Sequence, residues 1–480
     1  MELDPDVIKE NLAEIGEKEA LILLRELIEN STKPYIRRRA LENYGELEKG
    51  KNFTFFENLF FSDEDLRMRL IAGNVLSNRY SAHKKLIPLL EYTLNKIGNI
   101  EQKIFSLKSL CSLDRIKARK IVIDFLNLII RAKYKEEMKS VPGEILNSDY
   151  KTSIPKSVID IGINLILNNY YVKVCGYLST LRYGKIVSLD CESVNLEGIA
   201  DIVGINNLTN LEHLNIQRTR IKCIDNLQHF TKLKYLNLSH NKLEKIENLQ
   251  SLAKLEELNL SYNKIRKIKN LESLKELRKI SLNNNVITEI ENLNFLTNLE
   301  DLNLIHNNIS EIKNLETLEN LQRINLSSNR IEKLTGLSYS KNLIWLSIND
   351  NKISQINGLL SLNNLRLLYI SNNLIEKIEG LDNLFNLRKL ELSGNKICNL
   401  EGLQSLQGLQ ELYLDNNNIE KLEGLDYLRK LIILHIGRNN ILKFRSEFVK
   451  NLTNLNFLYL NENPLDQESW EHYQKRFKFP

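Results

Sequence analysis

The stretch Leu255-Glu256-Glu257-Leu258-Asn259-Leu260-Ser261-Tyr262-Asn263-Lys264-Ile265 decides the fold. Leu258 and Leu260 stand two apart, the period of a strand that turns one face inward. The same order, Leu-x-x-Leu-x-Leu-x-x-Asn-x-Ile, returns along the chain. Its asparagine column reads Asn241, Asn263, Asn285, Asn307, Asn329, Asn351, Asn373, Asn395, Asn417 and Asn439 in steps of 22 residues. Thr219 stands one step earlier, and Asn463 closes the series after a step of 24. An imperfect first copy, Ile186-Val187-Ser188-Leu189-Asp190-Cys191, precedes them, which makes about thirteen strands.

Stacking such copies makes a parallel sheet with strands roughly 4.8 Å apart, and twelve spacings give a chord of about 55–60 Å. No copy buries its apolar face alone, so stability is a sum over neighbours. The asparagine after each strand carries an amide that can satisfy buried main-chain groups of adjacent turns, giving a structural ladder. A second column lies seven residues on: Gly204, then Asn226, Asn248, Asn270, Asn292 and Asn314, then Gly336, Gly358, Gly380, Gly402 and Gly424. Apart from glycine, asparagine is the residue that most readily tolerates positive φ, so a left-handed turn is expected there in every copy. The short convex segment predicts 3₁₀ turns rather than α-helices.

This 22-residue unit resembles the short class of leucine-rich repeats, which includes the leucine-rich regulatory subunit of protein phosphatase 1 and the leucine-rich splicing protein of the U2 particle. The resemblance covers roughly residues 184–480. It implies a solenoid with a parallel sheet on its concave face and 3₁₀ turns on its convex face. The tail Asn463-Pro464-Leu465, followed by Trp470, Tyr473 and Phe477, is similar to the helix that caps such solenoids. These three aromatics share one helical face and are expected to cover the last strand.

Residues 1–178 lack the repeat and read as an all-α domain, so the chain is multidomain: a helical domain over 1–178, the solenoid over 179–463 and a cap helix over 464–480. Helix starts are expected at Ser31-Thr32 before Pro34, at Ser62 with Asp65 three on, and at Asn99. A loose repeat aligns Arg37, Ala40 and Tyr44 with Arg69, Ala72 and Leu76, and again with Lys103, Ser106 and Leu110. This resembles HEAT-type helical hairpins. The prolines of 140–155 predict a loop, and a helix over 156–168 with the stretch through Leu181 is expected to cap the first strand of the solenoid.

With 66 basic against 61 acidic residues, the formal charge of +5 is too balanced to argue for nucleic acid or a membrane surface. The acidic N-terminus has no apolar run behind it, and Asp124 and Asn127 interrupt the apolar stretch 121–130. The five cysteines form no CxxC pair, which predicts a reduced, cytoplasmic setting. Seven histidines stand outside any metal-ligand spacing, and His240 and His306 share a column three strands apart, too far for one metal. No nucleotide or nucleophile motif is present, so no catalytic residue, metal or cofactor is assigned.

What remains is binding. Residues six, four and two before each ladder position are expected to face the concave surface. The outer column runs His213, Tyr235, Glu257, Lys279, Asp301, Arg323, Trp345, Leu367, Lys389, Glu411, Ile433, Phe457. Its charges alternate from Glu257 to Arg323 and again at Lys389–Glu411, as sheet-stabilising pairs would. The middle column is asparagine and serine from Asn215 to Ser347, then Tyr369, Glu391, Tyr413, His435 and Tyr459. Exposed aromatics concentrate interface energy, so Trp345, Leu367, Tyr369, Glu391, Tyr413, Ile433, His435, Phe457 and Tyr459 form the candidate patch for a protein partner. The chain is therefore expected to be a non-catalytic scaffold gripping a folded protein. One alternative is a regulator of a phosphatase-like enzyme, its partner a phosphatase catalytic subunit, since the phosphatase regulator also uses concave aromatic and acidic residues. Another is a nucleic-acid-associated adaptor, working either directly through the basic run 115–139 or through a bound RNA-binding protein.

Overall fold

The computed structural model describes residues 3–113, 115–133 and 154–477. The chain forms two compact units, Met1–Ile186 and Val187–Pro480.

The first unit is helical. Glu17–Asn30 pairs with Pro34–Leu47, Phe53–Ser62 with Leu66–Arg79, and Leu86–Lys96 with Ile100–Ser112. The loose repeat read from the sequence falls on the second helix of each pair. Ala40, Ala72 and Ser106 are wholly buried, and Tyr44, Leu76 and Leu110 are buried one turn on. Arg37 donates to the Asp63 carboxylate at 2.7 Å, and Arg69 donates to the Asp63 carbonyl, so the first two pairs share one anchor. Asn99 caps its helix as expected, with its side chain accepting from Gln102 N at 3.0 Å. Two starts differ. Asp65, not Ser62, caps the helix Leu66–Arg79, because Ser62 is still helical and its hydroxyl bonds Asn58 O. Lys33 is the cap of Pro34–Leu47 and makes no side-chain cap bond; Ser31 instead accepts from Lys33 N. The helix Ile116–Lys133 carries the first part of the basic run 115–139, and the helix Lys156–Tyr170 follows. The rest of that run and most of the expected loop 140–155 lie outside the described residues.

The sheet has fourteen strands in strict chain order. Strands β1 (Leu178–Arg182) and β2 (Lys185–Asp190) are joined by Tyr183-Gly184, both at positive φ, 52° and 71°. A two-residue link with that geometry is the type I′ turn of an antiparallel hairpin. From β2 the strands run parallel to β14 (Phe457–Tyr459), one register step per copy, as in Leu236↔Leu258 and Leu258↔Ile280. The thirteen strands expected are this parallel run; β1 is an addition that the period could not reveal, since it belongs to no copy.

Each ladder asparagine ties two copies together. Asn285 Nδ2 donates to Leu282 O at 2.9 Å in its own copy and to Leu260 O at 3.0 Å in the one before, while its Oδ1 accepts from Ile265 N at 2.9 Å. The same pattern holds from Asn241 to Asn463. Thr219, heading the column, donates its hydroxyl to Asn241 Oδ1 at 2.5 Å.

The second column also takes its expected form. Every member has positive φ, from 54° at Asn226 to 102° at Gly424. The two residue types use the turn differently. Asn270 Nδ2 donates to Ile246 O at 2.7 Å, bridging successive turns. At the glycines the turns touch directly: a Cβ on Gly402 would lie 1.8 Å from Ile378 O. A third column, immediately before the ladder, is left-handed too, with φ of 51° to 70° from Arg218 to Glu462. Its residue types, His240, Tyr262 and Arg438 among them, disguise it. The cause is tertiary: its amide must reach the next copy, as Arg218 N reaches Ser239 O at 3.0 Å.

The convex path is built of single 3₁₀-type turns, such as Leu252 N to Leu249 O and Leu255 N to Leu252 O. They lengthen into 3₁₀ helices at Ile199–Asp201, Ile205–Asn207 and Ser446–Val449. The C-terminal helix Gln467–Arg476 seals β14. Tyr473 is wholly buried, its hydroxyl donating to Leu458 O at 2.7 Å. Phe477 packs on Tyr473 and Phe444 just past the helix end, whereas Trp470 stays 36% exposed at the rim.

Asn285→Ala removes a buried amide and strands the Ile265 amide and two carbonyls, so a loss of about 2–3 kcal/mol is expected in chemical denaturation. Gly402→Ala forces a Cβ against Ile378 O at positive φ; we expect a loss of about 1–3 kcal/mol, against almost none for Gly98→Ala, which meets nothing within 4 Å.

Candidate binding face

Each strand turns its central residue into the core and the two beside it, the outer and middle columns, toward the concave surface; the residue two past the strand end, Asp415 after Glu411–Tyr413 for example, adds an inner column. In the first half the middle column is occupied by the fold itself. Asn237, Asn259, Asn303 and Asn325 accept from the amide two residues on, as Ser261 N donates to Asn259 Oδ1 at 3.0 Å. These asparagines close their own strand ends, the habit of asparagine at turns. The outer column pairs Lys279 with Glu257 at 2.7 Å and Arg323 with Asp301 at 3.7 Å. Such pairs at the surface stabilise by about 0.2–1 kcal/mol.

The second half is built another way. Tyr369 and His435 cannot accept that amide, and the inner column of the preceding copy does so instead. Ser371 N donates to Asn349 Oδ1 and Gly437 N to Asp415 Oδ1, both at 2.7 Å. Relieved of this duty, the middle column carries rings. Tyr413 stacks on His435 at 4.8 Å and His435 on Tyr459 at 4.0 Å, their planes 24° and 23° apart. Trp345 meets Tyr369 at 5.8 Å across the columns. Between the two ring groups Lys389 places its ammonium 4.4 Å from the Tyr413 ring and 5.7 Å from Tyr369, and pairs with Glu411 at 2.9 Å.

The electrostatics follow from this packing. Burial works against the Lys389 ammonium, yet hydrogen bonding to Glu411 and the charge of its surroundings hold its pKa above the usual value. Burial likewise opposes ionisation of Glu411, but Lys389 and the Tyr413 hydroxyl outweigh it and keep the carboxyl below its usual range. Asp415 goes the other way. Burial raises its pKa, and the Gly437 amide and His435, 3.5 Å away, compensate only in part. Glu391 accepts from Ser371 and Ser393 hydroxyls at 3.0 and 2.7 Å.

The structure thus brings the predicted residues onto one face and corrects their character. Only Phe457, at 52%, is exposed; Trp345, Leu367, Tyr369, Glu391, Tyr413, Ile433, His435 and Tyr459 are half-buried. Strand spacing is shorter than a ring is wide, so rings on adjacent strands must lean together. Reading the sequence by columns overlooked two members. Lys389 was read only as half of an ion pair, and Asp415 lies in the inner column; writing out that third column would have shown an acid beside His435. His240, which shares a column with His306, stacks on Tyr262 at 4.0 Å. Among the described residues no group of three or more His, Cys, Asp or Glu could hold a metal ion.

Residues 209–295, 297–339 and 386–427 match, in overlapping windows, the family model described as "Leucine Rich repeats (2 copies)". The solenoid has the leucine-rich-repeat fold. Among solved structures, an internalin of Listeria monocytogenes is 24% identical with a TM-score of 0.57, over 74% of this chain and 97% of its own. A leucine-rich-repeat protein of Leptospira interrogans is 26% identical with a TM-score of 0.54, over 58% and 74%. The LRIM1/APL1C complex is similar at 20% and 0.52, and this chain covers 55% of that one. No curated protein matches the chain. Likeness at this level concerns the leucine-rich-repeat fold.

Because the folded state raises the Asp415 pKa, it favours the protonated acid; this carboxyl stabilises below its unfolded pKa of about 3.9 and costs stability as pH rises through the folded value. Asp415→Asn keeps an acceptor for Gly437 N without the charge. Its stability relative to the parent should therefore be greater at pH 7 than below pH 4 in urea titrations.

Proposed function

We propose that this protein is a non-catalytic scaffold whose leucine-rich repeat grips a folded protein partner on the C-terminal half of its concave face. The observation that carries the reading is the ring system from Trp345 to Tyr459 with Lys389 and Glu411 set into it. These side chains are held by stacking and ion pairing before any partner arrives. Little side-chain entropy remains to be lost on binding, which favours affinity from a surface of modest area. Tyrosine and tryptophan are the residues on which interface energy concentrates. Asn259 and its equivalents are occupied in closing strands, so the first half offers the partner less.

A regulator of a phosphatase-like enzyme is the second reading. It is favoured by the acids Glu391, Glu411 and Asp415 among the aromatics, a combination like that of the phosphatase regulator. Addition of the full chain to a purified phosphatase catalytic subunit tests it: unchanged activity and no co-elution would dismiss it. A cytoplasmic setting fits the five cysteines, none of which is in a disulfide. Among the described residues no helix is long and apolar enough to cross a membrane.

Affinity purification with the full chain, read by mass spectrometry, supplies the test. Tyr369→Ala, Tyr413→Ala and Tyr459→Ala combined with Trp345→Ala should leave thermal unfolding cooperative and weaken the main partner at least about a hundredfold, taking a modest cost per hot-spot residue. Recovery of the same proteins at parental yield would place the interface elsewhere.

A further inference from the structure

The near-balance of charge over the whole chain conceals a local excess. On the flank of the solenoid that descends from the sheet, Arg220, Lys242 and Lys264 occupy one column, each one residue past a ladder position. Lys245 and Lys267 form a second column, and Lys222 and Arg266 flank Glu244 in a third. Backbone bonds run directly between these segments, from Lys242 N to Ile221 O and from Lys264 N to Leu243 O, so the columns stand on adjacent turns. Lys222, Lys242, Lys245 and Lys264 line one surface cavity of about 430 Å³, with Glu244 and Glu247 as its acids. The cations are exposed. The ion pairs of these copies use other residues: Arg218 with Glu192, Lys234 with Glu256, and Lys279 with Glu257.

The excess stops within one copy. Where the copy of Asn263 has Lys264, Arg266, Lys267 and Lys269, the next has Val286, Thr288, Glu289 and Glu291. Repeating like charge at strand spacing is unfavourable for the free protein, and a solvated face does not require it. Beside the cations, two residues before Lys242 and Lys264, His240 and Tyr262 stack with centroids 4.0 Å apart and planes 9° apart. Tyr262 is 47% exposed, and the next position in its column is Asn284, so no third ring follows. A row of cations with an open aromatic stack at its edge is the combination that holds a single strand: phosphates along the charges, a base on the ring.

We propose that this flank, residues 220–269, binds single-stranded nucleic acid independently of the concave face. The cations neutralise consecutive phosphates, and Tyr262, backed by His240, receives a base. An acidic protein segment would use the charges but gain little from the stacked pair, which is why a nucleic acid is preferred. Sequence specificity is not implied, since every base offers a ring face to stack.

Anisotropy of the full chain with a fluorescein-labelled, mixed-sequence RNA of about 20 nucleotides, between roughly 50 and 200 mM salt, tests the assignment. The parental protein should bind with a log–log salt slope of about −0.7 per phosphate contacted, hence about −2 to −3 for three or four. Lys242→Glu, Lys264→Glu and Lys267→Glu together should weaken binding at least about tenfold and flatten the slope. His240→Asn with Tyr262→Asn uses the residue found at Asn284 in the same left-handed column, so the backbone is preserved; it should weaken binding at least about fivefold with the slope unchanged. Lys421→Glu with Lys443→Glu, on the same flank of later copies, should bind as the parent does. The proposal is overturned by salt-independent binding, or by parental affinity in both flank variants. It is also overturned if polyglutamate of equal charge displaces the RNA while the His240/Tyr262 variant behaves as the parent, which would assign the flank to an acidic protein segment. Should the charge-reversal protein melt abnormally, the aromatic variant carries the test alone.

Discussion

A chain that coils every 22 residues must bury the turn after each strand, and a buried turn exposes backbone groups to no water. One amide side chain per copy answers that constraint. Asn285 donates to carbonyls of two copies and accepts the amide of a third segment, and its equivalents do the same from Asn241 to Asn463. The three-residue strands could not persist alone; joined through this column they form thirteen parallel rungs. Rigidity of the surface is a consequence of the same bonds, because no copy can tilt without breaking its neighbour's amide contacts.

That rigidity lets concave side chains be read as a surface. In the first half the middle asparagines close the strand ends, while in the second half Asn349 and Asp415 take over this task from the inner column. The exchange relieves Tyr369 and His435 of that task; Tyr413, His435 and Tyr459 stack, and Lys389 sits between Tyr369 and Tyr413. A similar economy appears on the convex side, where Asn270 bridges two turns by its amide and Gly402 lets them touch. The fold and the candidate face therefore compete for the same columns, and the candidate face lies where the inner column supplies another acceptor.

Legibility varied with how narrowly a position restricts its residue type. The ladder and the Asn/Gly column were legible because few side chains satisfy a buried backbone turn or tolerate positive φ. The helical repeat was legible at Ala40, Ala72 and Ser106, where only small residues fit between packed helices. At the helix start near Ser62, the expected cap is still inside the preceding helix, so Asp65, three residues on, is the cap. The left-handed column before the ladder was illegible: His240, Tyr262 and Arg438 give no hint of it, since the next copy's carbonyl imposes the conformation.

Period and residue restriction alone established a parallel leucine-rich solenoid after a helical region, and which side chains lie on its concave face. Both are local properties, since alternation and amide chemistry are written into each copy. Tertiary structure decided what those side chains do. It leaned the aromatic rings together into a half-buried surface, placed Lys389 among them and drew Asp415 beneath His435. It also gathered cations from separate copies beside the His240–Tyr262 stack. Each of these rests on distances between residues about one repeat apart, which the coil, and not the order of residues, brings within reach.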